Sequence, residues 1–164
     1  AYVETFRSIL DSKIPPDYII QMDADLSHNP KDITRFLEKI KECDVVLGSR
    51  YVHGGGTENW SITRKLISRF GCFFSRVVLS LPYRDITGGF KCYRREVLEN
   101  MNLDSLSSVG YNFQIETTYR AHKQGARICE IPIIFVERKS GVSKFNIAIM
   151  VESFIKVLVL RFRE

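Results

Sequence analysis

The segment from Tyr18 to Arg50 leaves a chain of this kind few folds to choose from. Tyr18-Ile19-Ile20 is a short apolar run that reads as a buried strand. Residues 31–41 follow with Ile33, Phe36, Leu37 and Ile40 at helical spacing, an amphipathic helix with one apolar face. Asp44 to Arg50 is again short and Val-rich, a second strand ending in Gly48-Ser49. Strand, helix and strand in this order predict parallel strands joined by a right-handed crossover. Both strands then end on the same edge of an α/β sheet, the edge at which such sheets bind ligands.

The first strand runs into two carboxylates, Asp23 and Asp25, just before the turn Asn29-Pro30. Positions i and i+2 of a strand face the same way, so the two converge if strand geometry persists through Ala24. Two hard oxygen ligands with room for water suit Mg²⁺ or Mn²⁺ bridging to a substrate phosphate. The same Asp-x-Asp pattern also fits a solvated loop, or a phosphotransferase signature with Ser27 in its fifth place. The other residues needed for phosphotransfer do not follow in order.

Further along, residues 2–12 are expected to form an amphipathic helix and 61–80 a long helix bearing Arg64, Lys65, Ser68, Arg69 and Arg76. Arg64 and Ser68 are four apart and share a face, either a solvated basic face or a phosphate clamp. Gly54-Gly55-Gly56 reads as a flexible loop or a lid. Thr87-Gly88-Gly89 turns the chain into a strand at Phe90–Tyr93, followed by a short helix over Glu96–Asn100. A helix from Gly110 to about Gln124 ends at Gly125. Arg127 to Val136 is a strand interrupted by Pro132, which places it near an edge. Residues 137–144 form a polar loop, and Ile147 to Phe162 a mostly apolar helix. The domain division expected is 1–145 and a terminal helix, 146–164.

With 164 residues the chain is long enough for one domain with a sizeable core. Its formal charge of +5 favours anionic partners without choosing among phosphates, nucleic acid and anionic membranes. Aromatic and basic residues are not interleaved on one strand or helix face, which argues against nucleic acid. The four cysteines form no C-x-x-C pair and no zinc spacing, so they read as small buried hydrophobes. No leader pattern and no apolar run of membrane-spanning length is visible.

Taken together, several motifs recur in a familiar order. They are Asp23-Ala24-Asp25-Leu26-Ser27-His28, Gly48-Ser49-Arg50-Tyr51, Glu58-Asn59-Trp60, Arg64 to Arg69, Asp85-Ile86-Thr87-Gly88-Gly89-Phe90, Tyr111 to Glu116, and Glu137-Arg138 to Lys144. Over essentially the whole chain this resembles the polyprenol-phosphate mannosyltransferases, inverting family-2 glycosyltransferases of GT-A fold. The resemblance implies a partial GT-A domain, a mostly parallel sheet flanked by helices, without the first strands and nucleobase pocket. The isolated chain is expected to be inactive on that account.

The resemblance also implies a reaction: mannose passes from GDP-mannose to dolichyl or another polyprenyl phosphate, with Mg²⁺ or Mn²⁺ as cofactor. Asp23 and Asp25 would take the metal and diphosphate, joined there by Arg138 and Lys144 of the covering loop. Arg50, Arg64 and Ser68 would hold the acceptor phosphate, with Asp25 and Arg50 the catalytic pair. Asp85, Gln114 and Glu116 would lie near the sugar or acceptor. Ser27 stands where some relatives have Gln as a third metal ligand. Alternatives that stay open are a UDP-sugar donor, glucose or a modified pentose, and a non-catalytic anion- or membrane-binding module. A lipid-linked acceptor implies a peripheral place on the cytoplasmic face of a membrane. There the terminal helix would be either core or interfacial, with Lys156, Arg161 and Arg163 at the headgroups.

Overall fold

A computed structural model describes residues 2–106, 108, 110–137 and 147–163. In chain order the elements are α1 (Tyr2–Leu10), β1 (Tyr18–Gln21), α2 (Asp32–Lys39), β2 (Val45–Ser49) and β3 (Gly56–Glu58). They continue as α3 (Ile62–Leu79), β4 (Lys91–Arg94), α4 (Arg95–Asn100), α5 (Tyr111–Lys123), β5 (Ile128–Pro132), β6 (Ile134–Val136) and α6 (Ile147–Arg163), with a 3₁₀ turn at Leu103–Ser105.

β1, β4, β2 and β5 form one sheet in that order. β2 and β5 are parallel, whereas β4 runs antiparallel to both of its neighbours, β1 and β2. β1 and β2 therefore point the same way, as the strand–helix–strand spacing predicts, but they do not touch. A strand from much later in the sequence lies between them, a pairing that local pattern does not encode. The long strand expected over 127–136 divides at Pro132, which closes β5 at the sheet edge. β6 then leaves to pair in parallel with β3 in a second, two-stranded sheet. The glycine loop at 54–56 thus ends by entering a strand.

Alternation along the strands fills both faces. Ile19, Val45, Leu47 and Tyr93 face α1, α4 and α5 with Phe6, Leu98 and Phe113. Val46 and Cys92 face α2 with Phe36, Ile40 and Ile133. β2 is buried along its full length. A third cluster joins α3, α5 and α6 through Cys72, Leu79, Ile115, Tyr119, Val157 and Leu160.

One core position carries a charge-bearing group. Lys91 on β4 is buried and reaches across to α5, where its Nζ donates to Gln114 O at 2.6 Å, Thr118 Oγ1 at 2.9 Å and Thr117 Oγ1 at 3.2 Å. These bonds dock the first turn of α5 on the sheet. Burial pushes the Lys91 ammonium down from 10.5 to about 7, against the opposing charge of Asp85. Below that pH both folded and unfolded chains hold the proton. Above it the folded chain releases a proton that the unfolded chain keeps, so stability rises with pH at up to ~1.4 kcal/mol per unit. The thiols of Cys43 and Cys92, pushed by burial from 9.0 to about 12, reverse the trend once the unfolded chain ionises near pH 9. Denaturant unfolding is expected to show a stability rising from pH 7 to about 9, with the rise absent in Lys91→Met. A flat wild-type profile over that range contradicts it.

Candidate active site

β1 ends at Gln21, so strand geometry does not persist through Ala24 as the alternation argument requires. Asp23 and Asp25 still line one cleft, because a turn holds them there. The Asp23 backbone N–H donates to Nδ1 of His28 at 3.2 Å. Asp25 Oδ1 accepts from the backbone N–H and the hydroxyl of Ser27. Leu26, at φ 64, sits in the left-handed region with its side chain exposed. Ser27 therefore serves as a support for Asp25. His28 stacks on Phe90 with ring centroids 4.9 Å apart and meets Phe135 edge-on. Burial lowers its pKa, partly offset by Asp23 and Asp25. A neutral ring with Nδ1 as acceptor is what the Asp23 contact needs.

The chain then approaches from the other side. Gly89 lies so close that a Cβ there would stand 3.1 Å from Asp23 Oδ1 and 3.3 Å from Oδ2. Gly88 likewise runs against the Gly48 carbonyl. The two glycines let the loop before β4 lie flat beside the carboxylate, which gives Thr87-Gly88-Gly89 a steric reason.

Arg50 leaves the end of β2 and turns inward. Its Nε donates to Asp85 Oδ2 at 2.7 Å and its Nη2 to Asp85 Oδ1 and Thr87 Oγ1, both at 2.8 Å. Its backbone N–H adds a bond to the same carboxylate. Burial disfavours both charges, and mutual attraction with these bonds overrides it. Asp85 is held below the usual carboxylate range and Arg50 above the usual guanidinium range. Asp85 thus faces Arg50 with both oxygens engaged, while Arg50 still contributes to the cleft wall.

Arg64 stands on the first turn of α3, whose N-cap is Ser61. Its guanidinium lies 4.1 Å from the ring centroid of Trp60 and pairs with Glu137. Asp23, Asp25, Arg50, Arg64 and Gln114 share a cleft of about 330 Å³. Gln114 Oε1 is buried in it without a hydrogen-bond partner. Glu116, two residues on, falls on the opposite side of the helix, since i and i+2 do not share a face. It pairs there with Arg120 at 2.9 Å and accepts from the Ser108 N–H. Ser68 lines an adjoining apolar groove among α3, α5 and α6, its Oγ 2.7 Å from the Tyr51 hydroxyl. Arg50, Trp60, Arg64, Thr87 and Tyr111 border both cavities. Arg138 and Lys144 lie outside the described residues. Trp60, Thr87, Tyr111 and His28 stand within the sequence motifs but were given no site role there; their proximity arises from pairings distant in sequence.

Among the described residues no group of three His, Cys, Asp or Glu side chains gathers as a metal cage. Two carboxylates in an open polar cleft nonetheless fit Mg²⁺ or Mn²⁺. Mg²⁺ typically takes one or two protein carboxylates, completing its shell with substrate phosphates and water.

The fold is that of the GT-A glycosyltransferases. The crystal structure of glucosyl-3-phosphoglycerate synthase from Mycobacterium tuberculosis, in complex with phosphoglyceric acid, aligns over 97% of this chain and 52% of its own, with a TM-score of 0.58 and 13% identity. The profile of glycosyl transferase family 2 matches residues 12–101, and the chain belongs to that family. Undecaprenyl-phosphate mannosyltransferase of Micrococcus luteus is 42% identical over 157 residues, 96% of this chain and 64% of that protein. Polyprenol monophosphomannose synthase of Mycolicibacterium smegmatis is 42% identical over 140 residues, 85% of this chain and 53% of that protein. The chain spans between about half and two-thirds of the length of these curated relatives.

The approach of Gly89 to Asp23 makes a specific prediction. In Gly89→Ala the added methyl displaces the Asp23 carboxylate and weakens Mn²⁺ binding by roughly tenfold, the scale of supporting-contact changes at metal sites. Titration calorimetry with a nucleoside diphosphate present, alongside thermal unfolding, checks this. Unaltered affinity in a stably folded variant contradicts it.

Proposed function

We propose that the protein carrying this chain transfers mannose from GDP-mannose to a polyprenyl phosphate, with inversion at the sugar. The observation that carries the reading is the shared wall between two unlike cavities. One holds two carboxylates with Arg50, Arg64 and Gln114. The other is an apolar groove among α3, α5 and α6 with Ser68 at its side. A substrate with an anionic head and a hydrocarbon tail matches that junction, and the names of the curated relatives point to the same acceptor class.

The chemistry follows from the acceptor. A phosphate monoester is already anionic at neutral pH, so its oxygen attacks the anomeric carbon without a general base. The described lining of the polar cleft includes no histidine and no carboxylate besides Asp23 and Asp25. As the new carbon–oxygen bond forms, the bond to the diphosphate breaks and the nucleoside diphosphate leaves with the electron pair. Arg64, with Ser68 beside it on α3, orients the acceptor phosphate; Arg50 fixes the floor between them and Asp23. Asp23 and Asp25 would hold Mg²⁺ or Mn²⁺, which supplies positive charge to the departing diphosphate. Catalysis is then mainly alignment and charge neutralisation.

A polyprenyl phosphate stays in a membrane, so its enzyme works at that surface. None of the described helices is long and apolar enough to cross a membrane. α3 instead exposes Ile62, Leu66, Phe70, Phe73 and Val77 along one side. α6 buries Val157 and Leu160 but exposes Ile155, Leu158, Val159 and Phe162. Its Lys156 pairs with Glu152 at 2.6 Å. The terminal helix is thus part core and part exposed apolar surface. Together the two helices support peripheral seating on a membrane surface, which we place on the cytoplasmic face as part of this proposal.

In the complete protein that carries this chain, Arg64→Ala is expected to lower kcat/KM for the lipid phosphate ~10- to 100-fold, the cost of one charge-assisted contact, with KM for GDP-mannose little changed. Steady-state assays varying each substrate separate the two. An unchanged acceptor dependence refutes the role of Arg64, and preferential use of a UDP-sugar refutes the donor assignment.

A further inference from the structure

α3 carries a second cluster of arginines that the proposed reaction does not use. Arg64 faces the cleft and Ser68 the adjoining apolar groove, whereas Arg69 and Arg76 project from another flank of the same helix. Together with Arg84, Tyr51 and Phe73 they surround a separate concavity of about 350 Å³. We propose that this concavity binds the phosphate of an anionic phospholipid headgroup and so seats α3 on the membrane. The proposal rests on the peripheral reading above and adds a specific site to it.

Four observations support it. First, the lining holds three guanidinium groups and no carboxylate. Elsewhere in this chain arginines are commonly paired: Arg7 with Asp104, Arg35 with Asp32, Arg95 with Glu99, and Arg94 and Arg127 with Asp44. Among the described residues Arg69, Arg76 and Arg84 have no such partner. Second, Arg76 Nε is buried without a hydrogen-bond acceptor. A buried donor left unpaired is costly, and no protein acceptor offsets it at this guanidinium. Guanidinium forks suit phosphate oxygens, which accept paired N–H bonds from each. Glu130 on β5 is engaged elsewhere, accepting from the backbone N–H groups of Arg84 and Asp85.

Third, the concavity borders the apolar side of α3. Phe73 belongs to both, and Phe70 and Val77 are exposed close by on the helix. Phosphate beside hydrocarbon is the chemistry of a membrane interface, which favours a lipid headgroup over a soluble anion. Fourth, the site is distinct from the acceptor position. Tyr51 stands between them, its hydroxyl 2.7 Å from Ser68 Oγ and its ring centroid 5.9 Å from the Arg69 guanidinium. A headgroup held there would fix α3, and with it Arg64 and Ser68, at the depth where an acceptor phosphate emerges.

The test is vesicle flotation of the full chain, with neutral phosphatidylcholine vesicles and with vesicles also containing phosphatidylglycerol. The wild type is compared with Arg76→Gln/Arg84→Gln, with Arg69→Gln, and with Lys13→Gln/Lys41→Gln, which changes net charge equally at exposed sites away from the concavity. Wild type is expected to bind neutral vesicles through its apolar side and phosphatidylglycerol vesicles more tightly. The arginine double variant is expected to lose that added affinity, on the order of tenfold, while keeping its neutral-vesicle binding. Arg69→Gln should lose part of it and the lysine control none. An equal loss in the lysine control, or none in the arginine variants, overturns the site. Soluble glycerol phosphate that binds these arginines as tightly as the vesicles do overturns the lipid assignment. Failure to bind either vesicle overturns the peripheral reading itself.

Discussion

The buried contact between Arg50 and Asp85 is the interaction on which the site depends. It ties the end of β2 to a loop 35 residues later, through two side-chain bonds and one from the backbone. That loop continues through Thr87, itself bonded to both partners, into the glycines that lie against Asp23. One ion pair thereby registers the ends of β1 and β2 and the entry to β4. Such a pair adds little net stability over an apolar substitute, since desolvation offsets attraction. Removing one partner leaves an uncompensated charge and typically costs about 3–5 kcal/mol. Its value here is positional: neither carboxylate oxygen of Asp85 can rotate away without stranding the guanidinium.

The placement of β4 explains why there is a cleft to organise. β1 and β2 point the same way but are separated by β4, so their carboxyl ends stand about two strand spacings apart, on the order of 10 Å. The loop entering β4 crosses that gap from below. Asp23 and Asp25 after β1, Arg50 after β2 and Thr87 to Gly89 before β4 all line it. Had β1 and β2 been neighbours, the carboxylates and the arginine would crowd each other with no room for a diphosphate between them. Lys91, next after the loop on β4, anchors the start of α5 and brings Gln114 to the remaining side.

Much of this was legible in the amino-acid sequence where the cause was local. The alternation of Val45, Val46 and Leu47, the apolar face of α2 and the left-handed Gly125 after α5 are read directly from neighbours in the chain. Strand alternation is not what brings Asp23 and Asp25 to one cleft, because β1 ends at Gln21 and contacts with His28 and Ser27 hold them. What could not be read depends on partners distant in sequence. The antiparallel insertion of β4, the pairing of β3 with β6, and the Arg50–Asp85 contact each join segments separated by tens of residues. Gln-x-Glu looks like one motif in a string, but in α5 Gln114 lines the cleft while Glu116 pairs with Arg120.

The distribution of charge shows a similar division. A formal charge of +5 on 164 residues names no partner by itself. Once the ion pairs are placed, much of the arginine charge becomes structural, holding carboxylates at the ends of strands and along helices. Arg64 is intermediate: it is stacked on Trp60 and paired with Glu137, just after β6. An anionic substrate that competes for Arg64 therefore acts on Glu137 as well, and through it on the end of β6, where the Glu137 N–H meets the Glu58 carbonyl. The side chain proposed to meet the acceptor phosphate is thus also the one paired with the residue that closes the two-stranded sheet.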